Sequence, residues 1–200
     1  TGGLPLSAQE IRHALNQGRA TQFLVRLASS EEFLNATDYG ITDKRRADQE
    51  CVLRFMAFTL TPYAMYKGGD FDSFLNDTMA RMNKMTNAEL ASLECRFMQA
   101  MVAAFKIFGV EAFRKKYRRD DRKYPINKAL FEAWSVNFGH LKEDQMRRVI
   151  EKKEVLIDKF IALMKTSDFN NAVSQGTGHV NKVKIRFEEI ETIIQEVLSS

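Results

Sequence analysis

The stretch that decides the fold is Thr86–Gly109, TNAELASLECRFMQAMVAAFKIFG. Thr86 stands three residues before Glu89, the spacing of a capping box, in which the Thr side chain takes an orphan amide and the Glu reaches back to the cap. Leu90, Leu93, Phe97, Met101, Ala104 and Phe108 then step by three and four, the period of one helical face. Met98, Val102, Phe105 and Ile107 widen that stripe, and Gly109 is a natural stop. A helix apolar on so many sides is expected to be the most buried one, with Phe97 and Met101 inside.

The same period runs outward in both directions. Helices are expected over Ser7–Gln17, Thr21–Ala28, from an Asp43 cap to about Leu60, and from Asp72 to about Asn83. Ser30 is expected to cap a short further turn through Phe33. Beyond the central stretch, helices are expected from Asn127 to Phe138, from Leu141 to Lys165, and from Val180 to Leu198. In the last of these, Val183, Phe187, Ile190, Ile194 and Val197 make a narrow seam. No strand pattern and no internal repeat is visible. The expectation is an all-α, single helical domain over residues 1–200, a multi-helix bundle of about seven or eight helices.

Composition agrees with that class. The chain has 200 residues, 44% hydrophobic, with 15 Phe but only three Pro and 10 Gly. That is ample apolar material for one core and too little punctuation for a turn-rich β fold. Net charge is +4, which permits nucleic-acid binding without requiring it. Cys51 and Cys95 lie far apart within expected helices and read as two buried, reduced thiols of a cytoplasmic protein. No apolar run approaches the roughly 18 residues of a membrane span, so no membrane partner is expected.

Residues with chemical potential are few. His13, His140 and His179 are isolated from one another and from the cysteines, so no metal ligand set is expected. There is no nucleophile elbow and no Walker-type phosphate loop. The glycines at Gly176–Gly178 precede a helix, where free amides could hold an anion, although such a stretch more often serves as a plain loop. No catalytic residue is assigned, and the chain alone is expected to hydrolyse neither ATP nor GTP.

The sharpest charge feature is RKKYRRDDRKY at Arg114–Tyr124. Seven cations, Arg114, Lys115, Lys116, Arg118, Arg119, Arg122 and Lys123, stand against Asp120 and Asp121, with Tyr117 and Tyr124 between them. Exposed, solvated and interleaved with aromatics, such a loop could grip phosphates and stack on bases. The plainer reading is a soluble connector neutralised in part by its own aspartates.

The opening TGGLPLSAQEIRHAL raises a separate question. Gly2 and Gly3 suit a turn, Pro5 pushes Leu4 into an extended conformation, and Ser7 with Glu10 repeats the capping-box spacing. Leu6 can staple against Ile11, and Ile11, Ala14 and Leu15 make one apolar face. Two glycines before such a helix suit a chain arriving from an earlier element, so the sequence reads as a piece of a longer protein.

Here the residues resemble a family. TGGLPLSAQEIR is similar to the point just after the ParB/sulfiredoxin-like core of GmrSD-type restriction endonucleases, with Thr1, Gly2 and Gly3 as the tail of the core and Leu6, Gln9, Glu10, Ile11 and Arg12 in the following helix. Further similarities follow in order. They are VLRFMAF around Arg54, YKG at Tyr66–Gly68, FLND at Phe74–Asp77, INKALFEA around Asn127, and KIRFEEI near the end. The resemblance implies that residues 1–17 are a linker and first helix after an upstream core that is missing here. That core would carry the family's Asp-Gly-Gln-Gln-Arg motif, and with it any NTP and Mg; no cofactor is implied for this portion. The chain would be the helical portion of an NTP-dependent, DNA-targeting restriction or antiphage-defence protein, with the upstream core of the same chain as partner and with DNA contact and self-association open. The other reading is a protein–protein interaction module without nucleic-acid contact.

Overall fold

The computed structural model describes residues 5–41 and 43–200, and every described element is helical. The turn expected of Thr1–Leu4 lies outside the described residues. Eleven α-helices are present among the described residues, more than the seven or eight expected. They are α1 (Ala8–Leu15), α2 (Arg19–Ala28), α3 (Glu31–Thr37), α4 (Ala47–Leu60), α5 (Phe71–Asn83), α6 (Asn87–Phe108), α7 (Lys128–His140), α8 (Glu143–Glu151), α9 (Lys153–Met164), α10 (Ser167–Ala172) and α11 (Val180–Ser199). Short 3-10 turns occupy Lys44–Arg46, Tyr63–Met65 and Gly109–Glu111.

The higher count has local causes. The helix expected over Leu141–Lys165 is two helices, because Lys152 leaves helical geometry at φ −97°, ψ 24°. Short α3 and α10 add two more. Asp43 does not cap α4: it makes no side-chain cap bond, and Arg45 and Arg46 take left-handed angles before the helix starts at Ala47.

Both capping boxes form. Thr86 Oγ1 accepts from the Glu89 amide at 3.3 Å while Glu89 Oε2 accepts from the Thr86 amide at 2.8 Å. The helix they start, α6, buries Phe97 and Met101 as expected. Its late stripe is only partly covered, with Val102 and Phe105 exposed. Cys95 is exposed too, since it faces away from Leu93 and Phe97, whereas Cys51 is buried; both are free thiols.

The centre of the molecule is instead α7, where nearly every residue from Ala129 to Gly139 is buried. It packs against α4, α6 and α11 at once. Gly139 permits a close approach: a Cβ there would sit 3.2 Å from the Phe55 ring and 3.3 Å from the Arg96 carbonyl. The core around it is aromatic. Phe97 packs against Phe33 and Phe55, and Trp134 stacks with Phe138 and meets Phe160 edge-on. The seam of α11 is buried along its length, from Val183 to Val197.

Candidate functional site

The first helix is built the reverse of what its apolar face suggests. Its capping box forms as read, with Glu10 Oε2 accepting from the Ser7 amide at 2.6 Å. Those bonds from Ser7, first the backbone one, hold the Glu10 carboxyl below its usual range. Yet the buried side chains of α1 are Gln9 and Arg12. Arg12 is anchored three ways: Nε to Asn76 Oδ1 at 2.8 Å, Nη2 to Asp72 Oδ1 at 2.8 Å and Nη1 to Gln9 Oε1 at 2.5 Å. Arg12 thus ties α1 to α5 through Asn76 of the FLND stretch. Leu6, Ile11 and Leu15, expected to staple and pack inward, are 62%, 44% and 78% exposed. The reason is energetic: a guanidinium that finds a carboxylate and two amide oxygens is satisfied only on that side, and α1 is too short to bury both faces.

Arg54 also meets residues of the later similar stretches, in a second network that runs from the core toward the surface. Its Nη1 donates to Glu132 Oε2 at 3.1 Å and its Nε to Glu50 Oε1 at 2.9 Å. The other Glu132 oxygen is paired with Arg186, both side chains being wholly buried. Lys128 closes the chain on Glu50 Oε2 at 2.7 Å. Charges therefore alternate from Arg186 through Glu132, Arg54 and Glu50 to Lys128. Burial alone would raise the Glu50 pKa, but Arg54 and Lys128 outweigh it and hold that carboxyl below its usual value. Arg186 Nε is the imperfection, a buried donor without a partner among the described residues.

Asn127 is structural as well. Its Oδ1 caps α7 on the Leu130 amide at 2.9 Å, and its Nδ2 donates to the Val173 carbonyl at 2.7 Å. Sequence reasoning singled out Arg54 and Asn127 but missed Glu132 and Arg186. Their signal was a charged residue inside an otherwise apolar helical face, which marks a paired buried ion.

The basic loop runs from Arg114 to Ile126, pinned at its neck by a bridge between those two residues. It is less open than its composition suggests. Arg114 and Lys116 are buried rather than exposed. Arg114 donates to the carbonyls of Val110 at 3.1 Å, Tyr124 at 2.6 Å and Thr37 at 3.4 Å. Lys116 pairs with Glu111, Lys123 with Asp38, and Arg119 with both Glu154 and Asp158. Lys115 donates to Ser174 Oγ at 2.6 Å. Arg118 and Arg122 remain exposed, Arg122 lying 4.9 Å from the Tyr124 ring centre. Tyr117 and Tyr124 meet each other edge-on at 5.7 Å. Carboxylates of the fold engage Lys116, Arg119 and Lys123, which composition alone does not show, although Arg119 and Lys123 stay exposed.

The remaining candidates are isolated. A ring nitrogen of His13 lies 3.0 Å from Gln49 Oε1. No group of three His, Cys, Asp or Glu residues able to hold a metal occurs among the described residues. The Gly176–Gly178 loop is tied down by Tyr66 Oη donating to the Gly178 carbonyl and Arg186 donating to that of Thr177. No described helix is long and apolar enough to cross a membrane. No protein-family model, no curated protein and no solved structure matches this chain.

Proposed function

We propose that this chain is the helical portion of an NTP-dependent, DNA-targeting restriction or antiphage-defence protein, in which it supports an adjoining ParB/sulfiredoxin-like core and does no chemistry of its own. The observation that carries this reading is the reversed first helix. Arg12 fixes α1 to the body by its polar side, and Leu6, Ile11 and Leu15 are held outward. Covering such side chains is worth about 1.5–3 kcal/mol for each one fully buried. This ledge directly follows the Thr1–Gly3 stretch that resembles the end of the core, so the core is the neighbour within easiest reach. The other residues behind the resemblance, Arg54 and Asn127, serve buried pairing and capping, as support requires.

The test is the reading frame encoding residues upstream of Thr1. An Asp-Gly-Gln-Gln-Arg motif in a ParB-type context is expected there, and a different domain would remove the proposal. One observation favours the second reading, an interaction module without nucleic-acid contact. Arg119, Lys116 and Lys123 of the basic loop are already paired with carboxylates of this chain, which leaves Arg118 and Arg122 as the exposed cations without a carboxylate partner among the described residues.

A further inference from the structure

A cavity of about 520 Å³ lies where Gly40, Ile41, Lys44 and Arg45 meet the starts of α4 and α7. That size falls within the roughly 300–1,000 Å³ of small-molecule sites. Its wall holds four cations, Lys44, Arg45, Arg114 and Lys128, against one carboxylate, Glu50. Both Glu50 oxygens are already taken, by Arg54 and Lys128. Lys128 is thus balanced by Glu50, and Arg45 faces Glu10 at 3.6 Å, so the positive charge of the wall without a carboxylate partner among the described residues is that of Lys44 and Arg114.

Arg114 is the decisive group. It is buried, and its hydrogen bonds among the described residues go to three carbonyls. The neighbouring carboxylates are engaged elsewhere, Asp38 by Lys123 and Glu111 by Lys116. A guanidinium has five N–H donors, so three carbonyl bonds leave donors over. A buried cation held by carbonyls alone is costly, and burial pulls the Arg114 pKa below its usual value. An anion in the cavity would relieve that cost. Two helices begin at this wall, α4 at Ala47 and α7 at Lys128, and α4 has no side-chain cap, so its positive end adds to the field. Among the lining residues Arg45 takes a positive φ, 57°.

The rest of the lining is apolar, chiefly Ile41, Ala47, Pro125 and Ile126. Cys51 also lines it, but burial pushes its thiol up to about 12, so it stays protonated and offers no nucleophile.

We propose that this cavity binds a small phosphate-bearing molecule, its phosphate held by Lys44, Arg45, Arg114 and Lys128 and its compact apolar body set against Ile41 and Ile126. The Arg114 fork and Lys44, without carboxylate partners among the described residues and with Arg45 and Lys128 beside them, match a dianionic phosphate better than a single carboxylate charge. The site adjoins the start of α1, since Ser7 lines it and Arg45 is paired with Glu10, but Leu6, Ile11 and Leu15 take no part in it.

Calorimetric titration of the 200-residue chain with phenyl phosphate tests this, with benzoate and inorganic phosphate as comparison probes. Saturable binding is expected with a Kd of about 1 mM or tighter, with benzoate and inorganic phosphate each weaker. Lys44→Glu, at an exposed residue that folding does not require, is expected to weaken phenyl phosphate by about tenfold or more. Arg118→Glu makes the same charge change outside the cavity and is expected to leave binding unchanged; circular dichroism confirms that both variants fold. Three outcomes overturn the proposal: no saturable binding up to about 10 mM, benzoate binding as tightly as phenyl phosphate, or equal losses in the two variants.

Discussion

Replacing Glu132 by Leu removes the centre of the charge chain. Glu132 accepts one hydrogen bond from Arg54 and one from Arg186, and both Glu132 and Arg186 are fully buried. A bond to a charged group is worth about 1.5–3 kcal/mol. Removing one partner of a buried pair costs about 3–5 kcal/mol, because the remaining charge has no counter-ion. Arg54 would still hold Glu50 at 2.9 Å, so the stranded charge is Arg186. Glu132→Leu is therefore expected to cost about 3–5 kcal/mol. Arg186→Met is expected to cost less, about 2–3 kcal/mol, since Glu132 keeps Arg54. The double variant strands neither charge, and Arg186 Nε was unpartnered to begin with. It should be more stable than the sum of the single losses predicts by about 2–3 kcal/mol. Urea unfolding of the four proteins at neutral pH measures the cycle, provided that the denaturant slope stays constant. Losses that add to within about 0.5 kcal/mol would refute the reasoning, because they would mean that the two groups do not stabilise each other.

Phe97→Ala, which empties a site enclosed by Phe33 and Phe55, is expected to cost about 3–5 kcal/mol in the same urea assay; a loss under about 1 kcal/mol would place Phe97 outside the core. The Glu50 carboxyl has a lowered pKa in the folded chain, so its contribution is present above the unfolded value of about 4.3 and is lost as pH falls through the lower folded value. Stability of the parent chain should fall over that acid window more steeply than that of Glu50→Gln, as read by urea midpoints at stepped pH. If the basic loop meets duplex DNA, replacing Arg118 and Arg119 together by Ala should flatten the log–log salt dependence of affinity by about one phosphate contact, not two, because Arg119 is held by Glu154 and Asp158. An unchanged slope would leave the loop no role in DNA binding.

What the sequence made legible was local. The Thr86 and Ser7 capping boxes need only residues three apart, and both form. The α11 seam is a repeated spacing within one helix, and it is buried as read. The missed features depend on partners far along the chain. Nothing near Arg12 shows that Asp72 and Asn76, some 60 residues away, will draw the polar side of α1 inward and turn Ile11 and Leu15 out. The loop cations look free until Glu154, Asp158 and Asp38 are brought beside them. The break at Lys152 is a change of backbone angle at one charged residue, with the apolar period continuing on either side. Hidden carboxylates such as Glu132 are the hardest case, since their partner, Arg186, lies 54 residues on.

The central claim is that the outward face of α1 is covered by an adjoining core. Hydrogen exchange of the α1 amides, Gln9 to Leu15, compares the 200-residue chain with the longer protein that the proposal requires, one carrying a core upstream of Thr1. Docking adds the free energy of covering Ile11 and Leu15, and about 1.4 kcal/mol already slows local opening tenfold. The account predicts exchange slower by about tenfold or more in the longer protein, with the α7 amides unchanged. Equal exchange of α1 in the two proteins would contradict it.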